Sequence, residues 1–254
     1  RVYDDLSDAA LPPEQRVPRQ IVSVFLCPSG LPTSVVTNTI SFSGTRGDLV
    51  ASGNYMVCYG SGTGRHYDTT FGTNDGVVSK RIYKGLESIT DGTSNTLFFS
   101  EAIIGDGTKT TSEAPDLATP WTRTATNGSA ATSDWSPTWL TGEQGIPGVN
   151  ATTESWLKTY MTSNTTAYSG LRGFAWVVGE PYATGFCTFS PPNPPYTDWC
   201  NNFGMGFMSA RSFHTGGVNA SYADGSVIFV ANSVNGQIFR RMGSINDGGA
   251  DLPQ

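Results

Sequence analysis

The chain is short of charge. Charged residues make up 14% of its 254 positions, and histidine occurs only twice. Fifteen Lys and Arg stand against 21 Asp and Glu, for a net charge of −6, and the basic residues are scattered. That scarcity argues against nucleic acid as a partner, because phosphate binding needs clustered cations. Long hydrophobic runs are also missing. No stretch approaches the roughly 20 apolar residues that cross a bilayer as a helix. No two of the four cysteines form a C-x-x-C pair, which excludes a zinc ribbon or a thioredoxin-type motif. Catalytic signatures are absent as well. There is no G-x-S-x-G elbow, no H-E-x-x-H helix and no complete phosphate loop, since "GSGTG" (60–64) lacks the Lys-Ser/Thr that would follow.

Glycine (30 residues), proline (15) and many Thr, Ser and Asn fill the gap left by charge. This composition suits a loop-rich, antiparallel fold with polar, weakly charged surfaces. We expect one α+β domain over residues 1–254, mainly antiparallel, with a loop-rich insertion at 105–172. The sequence opens on "RVYDDLSDAA" without an initiator Met, as expected where an upstream segment has been removed.

Cys187 and Cys200 flank a Pro-rich loop, "CTFSPPNPPYTDWC". A disulfide there would stabilise by about 3 kcal/mol in the chain-entropy account. Cys27–Cys58 then follows by elimination, and four buried free thiols are the alternative. Bridges would imply an oxidising compartment. "IVSVFLCPSG" (21–30), "SGNYMVCYG" (52–60), the run 95–102 and "GFAWVVG" (173–179) read as strands. Trp121, Trp135, Trp139 and Trp156 punctuate the insertion, as anchors for its loops or as a contact surface. Together with Trp199 they also offer stacking platforms for a glycan. Glu87, Glu101 and Glu180 are the carboxylates that a hydrolase would need to bring together, although ion pairing or N-capping explains them as well. "NDGGAD" (246–251) presents Asp247 and Asp251 as oxygen ligands for a structural calcium ion, with a solvated turn as the alternative. No other cofactor is expected. Asn127, Asn150, Asn164 and Asn219 stand in N-x-S/T sequons.

The most informative stretch is "SFHTGGVNASYADGSVIFV" (212–230). Val218, Ala220 and Tyr222 alternate on one strand and Ser226, Ile228 and Val230 on the return, with Val227 and Phe229 facing the other way. Asp224-Gly225 between them predicts a type I′ hairpin turn. Gly216-Gly217 let the backbone bend before the hairpin. His214 belongs to the hairpin's base and Asp224 to its tip, about 20–30 Å apart along an extended strand. They do not form a dyad. His214 is read as a structural imidazole bonded to backbone, ahead of metal ligation or acid–base work.

His214, nine residues, then Asp224-Gly225 resembles the carboxy-terminal signature of the prepilin-type, pilin-like H-x9-DG proteins abundant in planctomycetes, a family without a settled activity. "VSVFLCPSG" is similar to its Phe-Leu-Cys-Pro-Ser segment, and "SGNYMVCYGSGTG" to its Asn-Tyr…Gly segment. "ITDGTSNTLFFSEAI", with Asp91, Gly92, Asn95 and Glu101, is similar to its Thr-Asp-Gly-Thr-Ser-Asn-Thr segment. The resemblance covers about residues 21–104 and 204–234. It implies a type IV pilin-like plan, a β-rich head after a long hydrophobic amino-terminal helix that this sequence does not contain. Any membrane contact would run through that helix. The implied role is an exported structural subunit, a pseudopilin-like building block of an extracellular filament or surface assembly that self-associates. An extracellular glycan-binding module is the alternative, with cell-surface glycans as partners.

Overall fold

The structure is a computed structural model. It describes residues 12, 15, 17–30, 39–41, 47–62, 74–79, 82–108, 111–116, 118–126, 165, 167–201 and 205–247. Eleven strands are present among these residues: β1 (Thr39–Ser41), β2 (Gly47–Leu49), β3 (Tyr55–Cys58), β4 (Leu97–Glu101), β5 (Thr124–Thr126), β6 (Ala167–Ser169), β7 (Gly185–Phe186), β8 (Trp199–Asn201), β9 (Met205–Phe207), β10 (Gly217–Tyr222) and β11 (Val227–Ala231). Helix α1 (Pro181–Thr184) directly precedes β7, and α2 (Gly236–Gly243) follows β11.

The fold is mixed α+β, with a five-stranded sheet in the order β11-β10-β4-β3-β7 and a four-stranded sheet in the order β6-β5-β8-β9. A small β1–β2 ribbon stands beside them. The expectation of a mainly antiparallel plan is corrected. β3 runs parallel to β7, and β5 runs parallel to β8, so both larger sheets are mixed. Each parallel pair joins strands far apart in sequence, which local turn chemistry cannot announce. No helix among the described residues is long and apolar enough to cross a membrane.

The hairpin at 217–231 forms as its alternation dictates. Val218, Ala220 and Val230 point inward and pack with Met56, Leu97 and Phe186 against Phe239 and Met242 of α2. Asn235 caps that helix by accepting from the Gln237 and Ile238 N–H groups. The turn type is corrected. Gly225 alone takes a positive φ, +88°, and its N–H donates to the Tyr222 carbonyl, whereas a type I′ turn would need Asp224 there too. Asp224 instead bonds Ser226 through its carboxylate, which holds its pKa below the usual value.

Two apolar runs read as strands are turns. Residues 21–30 form a short 3-10 turn, Ser23–Phe25, and then a tight turn in which Gly30 N–H donates to the Cys27 carbonyl. Ile21 and Val24 face solvent there. Residues 173–179 fold as successive turns that drop Phe174 and Ala175 into the second core, around Trp199, Phe207 and Tyr59. Apolarity recorded burial at 173–179, but not backbone shape.

The described ends of segment 105–172 lie side by side. Gly105 N–H donates to Arg172 O, Gly107 N–H to Gly170 O, and Gly170 N–H to Thr108 O.

The disulfide expectation is overturned, because all four cysteines are free thiols. The Pro-rich loop is closed by charge instead of sulfur. Arg211 reaches into it, donating to the Pro194 carbonyl (2.8 Å), to the Tyr196 carbonyl and to Asp198 Oδ1 (3.0 Å). Arg172 meets Asp198 Oδ2 at 3.5 Å from the other side. All three side chains are buried. Cys187 and Cys200 sit in the surrounding core, and Cys58 lies on β3 with its thiol toward the Gly243 and Gly60 carbonyls. Removing one member of such a buried set leaves an uncompensated charge. Asp198→Ala is therefore expected to cost about 3–5 kcal/mol, read as a lowered urea midpoint in equilibrium unfolding.

Candidate functional site

Three separately read segments converge at one end of β4. Glu101 is the last residue of that strand, and its side chain is buried. Its Oε1 lies 3.0 Å from His214 Nε2 and 3.5 Å from Cys27 Sγ, and the thiol lies 3.8 Å from the same imidazole nitrogen. The three ligand atoms stand within 4.8 Å of one another. Asn219 completes the carboxylate's shell: its backbone N–H donates to Oε2 at 2.7 Å and its side-chain amide to Oε1 at 3.3 Å.

Each contributor is fixed by its own local structure. Glu101 is positioned by β4, which pairs with β3 on one side and β10 on the other. Cys27 is held by Asn54, whose Oδ1 accepts from the Cys27 N–H at 3.0 Å, while its side-chain amide donates to the Ala102 carbonyl at 2.9 Å. His214 follows the buried Arg211, whose N–H donates to the Glu101 carbonyl. The Ser212 hydroxyl accepts from the His214 N–H at 3.1 Å and donates to the Gly217 carbonyl at 2.7 Å. The bend at Gly216 (φ +85°) then carries the chain into β10.

The electrostatics are those of a protonated thiol beside a carboxylate. Partial burial, reinforced by the Glu101 charge, pushes the Cys27 pKa up, against backbone N–H groups of Ser29 and Gly30 that lower it. Tyr55, opposite Glu101 in the β3–β4 register, is also pushed up, by burial and then by Cys27 and Glu101. This is not a nucleophile's setting, which needs the thiolate favoured. Nor is it a relay. In a Cys–His–carboxylate relay the two imidazole nitrogens face different partners, whereas here one nitrogen faces both. Three donor groups converging on a point is the geometry of a ligand cage.

The expectation of a backbone-bonded His214 imidazole is corrected: its main-chain N–H donates to the Ser212 hydroxyl, but the partner of its imidazole is Glu101. His214 and Asp224 are separate, as expected from the hairpin, with Asp224 at the turn. Asp91-Gly92 and Asn95 form the turn that receives that tip. Gly92 has φ +94°, the Asn95 amide donates to the Asp91 carbonyl, and the Asp224 N–H donates to the Thr93 carbonyl. The "DGTSNT" and "ADGS" turns thus dock at one end of the β4–β10 pair, and Glu101 and His214 meet at the other. Cys27, assigned above to a disulfide, is the member that sequence reasoning missed. The available signal was that Cys27, Glu101 and His214, all metal-competent side chains, each fall inside one of the motif segments.

Of the other candidates, Asp247 faces Arg241 Nε at 3.7 Å and its N–H donates to Asp91 Oδ2, while Asp251 lies outside the described residues. Trp199 is wholly buried, which removes it as a glycan platform. Trp121 is half-buried and meets Phe213 edge-on, at 6.0 Å between centroids. Trp135, Trp139 and Trp156 lie outside the described residues. Glu87 is exposed in a short 3-10 turn and Glu180 precedes α1, so Glu101 is the carboxylate drawn into a constellation.

A family model described as a protein of unknown function, DUF1559, matches residues 3–237. This chain belongs to the DUF1559 family. No curated protein and no solved structure matches it. The DUF1559 match spans all three segments that build the cluster.

The thiols separate by burial. Cys58, Cys187 and Cys200 are buried, and burial raises the pKa of all three, Cys200 to about 12. Brief alkylation of the native reduced protein is expected to label Cys27 alone, and alkylation in denaturant without reductant to label all four, as read by intact mass.

The linkage has a definite sign. A thiol whose folded pKa is raised stabilises the fold fully below its unfolded pKa and loses that contribution as pH rises toward the folded value. The urea midpoint is therefore expected to be flat through neutrality and to fall above about pH 8.5, the ordinary thiol value. Cys200→Ala should make that alkaline fall shallower, although the cavity it leaves lowers stability at every pH.

Proposed function

We propose that this chain is an exported structural subunit, the pilin-like head of an extracellular filament or surface assembly. The observation that carries the reading is the outer face of the five-stranded sheet. Val227 is opposite Ser221, Ser221 is opposite Phe99, and Phe99 is opposite Val57, so these four share one row. Phe229 lies two residues along β11 on the same face. Val227 is 71% exposed, Phe229 53% and Phe99 38%. Large apolar side chains exposed side by side mark a contact surface. β11 is also the last strand of its sheet, and its outer backbone groups suit pairing with another strand.

A second copy of this chain is the partner this reading names. The exposed side chains Val227, Phe229 and Phe99 are apolar, and a repeated contact between this face and a different face of the next identical subunit propagates. The resemblance to the H-x9-DG proteins supports the same role, as does a surface poor in charge.

The test is the association state of the full chain by sedimentation velocity, with electron microscopy of the concentrated material. Concentration-dependent assembly is expected, and Val227→Glu or Phe229→Glu should shift it at least about tenfold to higher concentration, the effect of losing roughly 1.4 kcal/mol per contact. Both side chains are exposed, so the variants should keep the far-ultraviolet circular dichroism of the parent. A parent that stays monomeric at high concentration overturns the proposal, and so do variants that assemble like the parent.

A further inference from the structure

The cluster at the end of β4 lies on the same outer face as the apolar row, with Glu101 two residues from Phe99 and Asn219 opposite Phe229. We propose that Cys27 Sγ, His214 Nε2 and Glu101 Oε1 bind a divalent ion of the zinc class, with a fourth coordination position open at the protein surface. The three atoms stand close to the spacing such an ion imposes. Zinc bonds of about 2.3 Å to sulfur and 2.0–2.2 Å to nitrogen and oxygen, at the tetrahedral angle, give ligand–ligand edges of roughly 3.4–3.6 Å. The observed edges are 3.0, 3.5 and 3.8 Å. Movements of a few tenths of an ångström convert the hydrogen-bonded cluster into a coordination shell.

The donor set decides the class of ion. A thiolate with an imidazole selects zinc-like metals over calcium or magnesium, which take oxygen ligands. Copper(II) is disfavoured by chemistry, because it oxidises an accessible thiol. Three protein ligands leave one of four positions for water or for a donor from a neighbouring molecule. His214 is 28% exposed, which puts the cluster within reach of solvent.

The surroundings are those of a metal site too. Metal ligands work when outer groups hold them in place. Here the Asn219 N–H pins Oε2 and its side-chain amide reaches Oε1, the oxygen that meets the thiol and the imidazole. Asn54 pins the Cys27 backbone, and Ser212 pins that of His214. On binding, the thiol loses its proton to solvent. The imidazole binds as the tautomer that carries its proton on Nδ1, so that the Nε2 lone pair faces the ion. No redox change is involved.

Cobalt(II) is the probe, since it follows the same ligands and its thiolate bonds absorb light. Full-length reduced protein, stripped with chelator, is titrated with cobalt(II) and then with zinc(II). We expect one equivalent of cobalt bound, with a near-ultraviolet thiolate-to-cobalt charge-transfer band and intense visible bands of tetrahedral character, all displaced by one equivalent of zinc. Cys27→Ser should abolish the charge-transfer band, and His214→Asn should weaken cobalt binding by more than about 100-fold, beyond the 10–100-fold typical of outer-shell losses. Ser212→Ala, which touches no ligand atom of the cage, should weaken it by about tenfold. Cys27→Ser is close to isosteric on a half-buried side chain, so folding does not confound the readout. The absence of a stoichiometric cobalt–thiolate band in folded parent protein overturns the proposal, as does a band that survives in Cys27→Ser.

Discussion

A carboxylate buried at the end of a central strand is the constraint around which the rest is arranged. A carboxylate in a protein interior needs several donors, because an uncompensated buried charge costs several kcal/mol. β4 places Glu101 where the next strand, β10, supplies a backbone N–H and an amide from Asn219, where the turn after Phe25 supplies a thiol, and where the bend before β10 supplies an imidazole. Three segments spread across the chain are thereby drawn to one point. The same strand pair is fastened at its far end, where Ala223 and Asp224 donate to the Thr96 and Thr93 carbonyls. Pairing of β4 with β10 is thus pinned at both ends, once by turn backbone and once by the Glu101 cluster, so a slip of register would break both sets of bonds.

A second buried charge does the work that sulfur was expected to do. Arg211 fastens the loop between Cys187 and Cys200 through two carbonyls and Asp198, and its own N–H binds the Glu101 carbonyl. Three residues later comes His214. The loop network and the cluster are therefore mechanically continuous through one short segment. A guanidinium suits the task, since its planar fork can bind several acceptors at fixed angles. With the loop closed this way, its flanking thiols are left to pack as small apolar groups in the core.

What the sequence disclosed and what it hid divide along physical lines. The hairpin was legible because strict alternation and an Asp-Gly turn are local signals, and β4 because a turn motif precedes a β-rich run. Val227 and Phe229 were legible by parity as sharing one face, although parity could not say that this face is the exposed one. The parallel pairings of β3 with β7 and β5 with β8 were not, since nothing local records which distant strand a strand will join. The runs at 21–30 and 173–179 misled because apolar residues in succession suit a turn packed on a core as well as a strand. Glu101 and His214 stood out as motif members, but their meeting depends on long-range register, 113 positions apart. Cys27 was hidden by its own plausibility as half of a disulfide. Four cysteines invite pairing, and only coordinates show that its nearest metal-competent neighbours are a carboxylate and an imidazole.

The convergence of thiol, imidazole and carboxylate separates a cage from a mere fastening. If the cluster served only to neutralise Glu101, any two neutral donors would suffice, and serine and asparagine would do so with stronger hydrogen bonds than a thiol makes. A thiol is a poor donor and a strong metal ligand. A histidine that turns the same nitrogen toward both partners leaves the other nitrogen free to carry the ring's proton when an ion is bound. Those two features gain nothing for a hydrogen-bonded plug and fit a coordinated ion. The apolar row at Val227 and Phe99 is the neighbouring row of the same face, and Phe229 stands opposite Asn219, which holds the Glu101 carboxylate. Assembly and metal binding therefore meet on one face of the sheet, with Val227 the apolar position set apart from the cage's support and Phe229 the one beside it.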